Sequence, residues 1–207
     1  MSSLPAPPAN LHDRQLPLYT LRRRPGALLR LAWKDPGSHL AFRASARFRF
    51  DSTDGSFGVT YAAFDLETSF VETILRDKPA SPTGPTVMLD YVELRDRRVI
   101  NLDTAGADRA LHLVKLYDEG LAAVGTDNRL SSVNDYAATQ RWAKVLHDHP
   151  RAPDGLIYMS RYLGARRSVV LFDRARDQVT VGSVTPLLSH PELPKLLDRY
   201  RVGIDRP

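Results

Sequence analysis

Apolar residues in this chain come in short runs broken by glycine, proline, aspartate, serine and charged residues, a pattern of small strands and short helices. None approaches the roughly 18 apolar residues needed to cross a bilayer. Ala27 to Trp33 (ALLRLAW) reads as a strand interrupted by Arg30 and stopped at Asp35-Pro36-Gly37-Ser38. Ala46 to Asp51 (ARFRFD) alternates strictly, which predicts a strand with Arg47 and Arg49 on one face and Phe48 and Phe50 on the other. Thr53 to Ser56 supplies a turn, and Phe57 to Phe64 (FGVTYAAF) returns as a strand.

Asp65 is placed to cap a helix, because its carboxylate can accept from the free amides two or three residues on. Leu66, Phe70, Val71, Ile74 and Leu75 recur at helical spacing as far as Arg76. Lys78 to Pro85 (KPASPTGP) is a loop. Thr86 to Leu94 and Arg98 to Leu102 read as strands paired across Arg95 to Arg97, and helices are expected over Ala107 to Ala123 and Val133 to His147. Gly155 to Ser160, Ser168 to Phe172 and Val179 to Val184 close the pattern as strands, with a terminal helix over Pro191 to Arg201. Without a repeat or an evident linker, the expectation is one α+β domain over residues 27–207, a mixed sheet core with surrounding helices. Residues 1–26, rich in Pro, Ala and Ser at the start, are expected as a flexible leader.

The chain of 207 residues has an ordinary globular composition, with 43% hydrophobic and 26% charged residues. It has no cysteine, which excludes disulfides and thiolate metal sites. The opening residues lack a basic region followed by an apolar one, so no secretory signal is read there and a cytoplasmic location is expected. A formal net charge of +5 suits a site for anionic phosphates or an acidic partner as well as nucleic acid. Arg22-Arg23-Arg24 runs straight into Pro25-Gly26 without aromatics, which favours a solvated turn over a nucleic-acid patch. His147 and His149 are two apart and do not share a helix face for a metal, so no metal site is expected and they read as helix-end charge. The chain has no GxGxxG or phosphate-loop motif.

Four features carry potential chemistry: arginines in apolar strands, Tyr61 in a strand, a glutamate on the following helix, and the late pair Ser160-Arg161. Taken alone, Arg30 reads as half of a structural ion pair, Arg47 and Arg49 as a solvated face, and Tyr61 as a packing residue. Ser160 alone reads as a turn-closing serine. Helical periodicity makes Glu67 the inward carboxylate and Glu72 a surface charge.

In order, however, LLRL with Arg30, RFD with Arg49, GVTYAAF with Tyr61, ETSFVET with Glu72 and DGLIYMSR with Ser160 resemble the RES-domain toxin family. The resemblance covers about Ala27 to Asp173. It departs at Leu31, where the family often has an aromatic residue. It implies an ADP-ribosyltransferase-like fold and cleavage of the nicotinamide–ribose bond of NAD, with NAD a substrate and no cofactor required. It assigns Glu72 to the developing positive charge at the ribose, with Arg30 and Ser160 as further catalytic residues. Arg49 is preferred to Arg47 for the pyrophosphate, with Arg161 as an additional phosphate contact. Tyr61 offers a ring face to the nicotinamide and a hydroxyl for orientation. Its spacing from Tyr61 selects Glu72 over Glu67.

The resemblance also implies a partner, a separate antitoxin chain with a DNA-binding part, and so a hetero-oligomer. The acceptor of the ADP-ribose is left open among water, phosphate and a protein target. The competing reading is a non-catalytic basic nucleic-acid-binding module, whose affinity would fall steeply with salt.

Overall fold

Strict alternation in the closing strands decides which side of the sheet each residue serves. In the computed structural model, which describes residues 3–76, 78 and 87–205, the chain forms β1 (Leu18–Leu21), β2 (Leu28–Trp33), β3 (Val59–Ala63) and α1 (Leu66–Phe70), which continues as a π turn over Val71–Leu75. There follow β4 (Val87–Asp90), α2 (Tyr91–Arg95), β5 (Arg97–Asp103), β6 (Leu111–Leu116), α3 (Glu119–Val124), α4 (Arg129–Ser132) and α5 (Tyr136–His147). The last elements are β7 (Gly155–Met159), β8 (Arg167–Phe172), β9 (Thr180–Pro186), α6 (Leu193–Arg199) and β10 (Val202–Asp205).

Eight strands form one mixed sheet in the order β1-β6-β7-β8-β3-β2-β5-β9, and β4 with β10 forms a separate parallel pair. Within the large sheet β6 and β7 run parallel, whereas β7 pairs antiparallel with β8 and β8 with β3. Leu156, Tyr158, Val170 and Phe172 face one core with Trp142, Ala143 and Leu146 of α5. Their neighbours Ile157, Val169 and Leu171 face the other side, against Leu28, Ile100 and Leu102. A third core joins Leu31 to Leu66, Phe70 and Ile74 of α1 and its π turn, and to Leu193 and Leu196 of α6. At Gly155 a Cβ would come within 2.2 Å of the Val170 carbonyl oxygen, so this close strand approach requires glycine. This is a single α+β domain with a central sheet and surrounding helices.

Several expectations are corrected. Residues 3–26 do not form a flexible leader: β1 pairs antiparallel with β6, and Leu4, Leu11, Leu16 and Leu21 are buried. Those leucines have enough apolar surface to tie the segment down, and Trp142 Nε1 donates to the Pro5 carbonyl at 2.8 Å. Ala107 to Ala123 is not one helix but β6 followed by α3. Leu111 and Leu113 serve one core, Val114 and Leu116 the other, which is a period-two pattern. The strand expected over Thr86 to Leu94 stops at Asp90, whose carboxylate accepts from Val92 N at 2.7 Å and starts α2. β4 and β5 do not pair with each other; β4 joins β10, while β5 lies between β2 and β9. The strand expected over Ala46 to Asp51 is a loop, described below. The Lys78 to Pro85 loop, apart from Lys78, and Thr86 lie outside the described residues.

His147 is not a simple helix-end charge. Its ring stacks on Phe57 at 4.2 Å and meets Phe172 edge-on, and burial lowers its pKa. Among the described residues no helix is long and apolar enough to cross a membrane.

Candidate active site

The site begins where the sheet comes apart. β2 is paired with β5 along its whole length, but with β3 only at Leu29 and Ala63. Beyond that point Val59 exchanges both backbone hydrogen bonds with Arg43, at 2.9 and 3.1 Å, instead of with β2. The Leu31 amide donates to Ser69 Oγ at 3.0 Å, so a side chain of α1 takes the place of a ladder partner. The strands splay, and a cavity of about 420 Å³ lies among β2, β3, the loop before β3, α1 with its π turn, and the end of β7.

One carboxylate shapes the loop. Asp51 is fully buried; Oδ2 accepts from Ser45 Oγ, from Arg47 N at 3.0 Å and from Phe48 N at 3.1 Å. Its Oδ1 accepts from the Tyr61 hydroxyl at 2.9 Å. Gathering amides from residues three and four back is incompatible with an extended strand, and this explains the loop in place of the expected alternation. As a result Arg47 and Arg49 do not share a strand face. Arg47 is exposed at the cavity wall. Arg49 is buried, donating to the carbonyls of Leu130 at 3.3 Å and Val133 at 2.8 Å, with its guanidinium 5.3 Å from the Tyr136 ring centre.

The carboxylate of Glu72 stands on the π turn that extends α1, and it lines the cavity. Asp65 caps α1 as expected, accepting from Thr68 N at 2.8 Å. A π turn changes the angular step between residues, which is why a regular helical wheel misplaces Glu72. Glu72 Oε1 accepts from the Ser160 hydroxyl and from Arg161 N at 2.9 Å. Ser160, 3% exposed, lies behind Glu72 rather than on the cavity wall, and its oxygen also accepts from Leu163 N at 3.2 Å.

Glu67 is elsewhere. Its carboxylate binds Arg199, the Tyr200 hydroxyl at 2.8 Å and Arg166 at 3.2 Å, a cluster that ties α1 to α6 and to the loop after β7. Hydrogen bonding from Arg199, followed by that from Tyr200, outweighs partial burial and holds the Glu67 carboxyl below the usual range.

Arg30 projects from β2, and its guanidinium donates to Thr60 Oγ1 of β3, across the splayed pair. Burial, with a smaller effect from the Arg43 charge, pushes its pKa down to about 10. The group is still a cation at neutral pH. Arg30 Nε, on the cavity wall, is buried without a hydrogen-bond partner among the described residues. Arg43, Arg76 and Arg161 join the same wall, where Glu72 is the carboxylate. The cavity is therefore arranged to take an anion while presenting one acid group at a fixed point.

The structure brings Arg30, Arg47, Arg49, Tyr61, Glu72 and Arg161 to one cavity, with Ser160 directly behind it. The Tyr61 hydroxyl is committed to Asp51 and to Phe50 N, which donates to it at 2.9 Å, so the ring rather than the hydroxyl faces the cavity. Sequence reasoning missed Tyr158, whose buried ring lies on the wall; burial first, then the Glu72 charge, pushes its hydroxyl pKa up. It lies two residues before Ser160 in β7, and strand periodicity could have placed it on the same face. Tyr136 and Arg43 are further omissions, with no local signal to mark them.

A probable toxin, y4kH of Sinorhizobium fredii, is 30% identical over 98 residues, covering 47% of this chain and 76% of the relative. No solved structure matches. The model of the RES domain matches residues 29–193, which include every residue of the cavity wall, and the chain belongs to that family.

Proposed function

We propose that this protein is a bacterial toxin whose cavity binds NAD and breaks the bond between ribose C1′ and nicotinamide N1. The observation that carries the reading is the Glu72 carboxylate, fixed by Ser160 and Arg161 N inside an arginine-lined cavity. The bonding electrons leave with neutral nicotinamide, and C1′ takes on oxocarbenium character that a held carboxylate stabilises. Arg30, Arg47 and Arg161 neutralise the pyrophosphate, with Arg49 contributing charge from its buried position. Tyr61 and Tyr158 supply ring surface for the nicotinamide. Ser160 acts through Glu72, as a positioning residue. Water or phosphate then adds its oxygen to C1′ and loses a proton, giving free ADP-ribose or its phosphate ester.

The same reading assigns an ADP-ribosyltransferase-like architecture, a cytoplasmic site of action, and neutralisation by a separate antitoxin with a DNA-binding part. The relative named a probable toxin supports the toxin assignment. Incubating wild type and Glu72→Gln with NAD, in water-based and phosphate buffers, and measuring nicotinamide release tests it. Release by the wild type and none by the folded variant is expected. Unchanged NAD in both buffers overturns the reading, and a labelled protein band in lysate moves the acceptor to a protein.

A further inference from the structure

Trp33 ends β2 on the wall of the same cavity and is 46% exposed, whereas Trp142, the other of the two tryptophans, is fully buried. Arg97 lies directly opposite it in the β2–β5 register. The Arg97 guanidinium carbon is 3.6 Å from the Trp33 ring centre, so a cation covers one face of the indole. Glu93 anchors that guanidinium at 3.3 Å, and Arg97 Nε is buried without a hydrogen-bond partner among the described residues. A large ring held in place by a cation and left partly open on a cavity wall is a stacking surface.

We propose that Trp33 and Arg97 form a shelf for the nucleobase at the end of the ligand remote from Glu72. On the NAD reading above, which this inference rests on, that base is adenine. Three strand residues, about 10 Å, separate Trp33 from Arg30. Both residues line the same cavity, so a ligand with a phosphate at Arg30 can reach the indole. The shelf makes the site selective for dinucleotides, and nicotinamide mononucleotide, which lacks the adenylate half, gains nothing from it.

ADP and inorganic pyrophosphate are the probes. ADP quenches wild-type tryptophan emission saturably, and in Trp33→Phe, which keeps only buried Trp142, the signal does not respond. By calorimetry Trp33→Ala binds ADP about tenfold more weakly, Trp33→Phe recovers most of that loss, and pyrophosphate binds all three alike. In turnover, Trp33→Ala raises KM for NAD about tenfold with little change in kcat, and leaves nicotinamide mononucleotide cleavage unaltered. Equal ADP affinity in wild type and Trp33→Ala, or an equal loss for ADP and pyrophosphate, overturns the shelf. ADP quenching without nicotinamide release overturns NAD cleavage and leaves the shelf standing.

Discussion

The Ser160 hydroxyl donates to Glu72 Oε1, joining the end of β7 to the π turn of α1 across 88 positions of the chain. Arg161 N reaches the same oxygen, so the carboxylate is aimed by the strand end as a unit. Ser160→Ala removes the charge-assisted bond and keeps the amide. We expect kcat for NAD to fall about 10- to 100-fold, with KM nearly constant, because the loss is in aiming the carboxylate rather than in holding substrate. Steady-state nicotinamide release measures both constants.

Glu67 and Glu72 separate cleanly by substitution. Glu67→Gln weakens the bonds to Arg199, Tyr200 and Arg166, which stand off the cavity wall. It is expected to cost about 1–3 kcal/mol, lowering Tm by a few degrees, while kcat stays within about twofold. Glu72→Gln is expected to do the reverse. Thermal melts beside turnover assays distinguish them, and loss of activity in Glu67→Gln at unchanged Tm counts against the assignment.

The depressed Glu67 carboxyl also sets a pH dependence. Its folded value lies below the ordinary 4.5, so the unfolded chain binds the proton more readily. Its stabilising contribution is therefore complete above that ordinary value and is lost as pH falls through the folded one. Tm of the wild type should drop more steeply below about pH 5 than that of Glu67→Gln, and the two curves should converge in acid.

Burial of Arg30 makes Arg30→Lys non-conservative. The arginine, even at about 10, is charged throughout the neutral range. The same burial acting on a lysine, whose ordinary value is about 10.4, brings its titration toward working pH. Arg30→Lys should bind NAD about tenfold more weakly at neutral pH and weaker still as pH rises, whereas wild-type affinity stays flat. Binding measured between about pH 6.5 and 9 checks the trend.

Tyr61→Phe tests the loop. It leaves Asp51 Oδ1 and Phe50 N without the hydroxyl that joins them. A loss of about 1–3 kcal/mol is expected, seen as a lower denaturation midpoint. NAD affinity should fall with it, because Arg47 and Arg49 ride on that loop.

How far the sequence could be read follows from which interactions are local. The Asp65 cap, the strands over Leu28–Trp33 and Arg167–Phe172, and the helix ending at His147 rest on short-range patterns, and all form as expected. The helix expected over Ala107 to Ala123 failed because buried strands with apolar residues on both faces mimic helical spacing. The Ala46–Asp51 strand failed because a side chain, Asp51, overrode the alternation of its neighbours. The place of Glu72 on the cavity wall agrees with the ordered motif set and not with periodicity, since a π turn is invisible to a 3.6-residue wheel. Ser160 was singled out by the same motif set, but its bond to Glu72 spans too much chain for any local rule. Trp33 and Tyr158 read as ordinary strand aromatics until the splay of β2 from β3 exposed them to a common space.

The brace on α1 has a bearing on the order in which the fold can be completed. Every residue of the cavity wall has been synthesised once Ser168 is in place. The helix carrying Glu72 is nevertheless fastened at its start by Arg199 and Tyr200, which come much later. The residues of the cavity wall can thus come together before the start of that helix receives its last restraint. The brace is therefore a late fastening on a cavity that is already gathered, and it bears on the durability of the fold rather than on its chemistry.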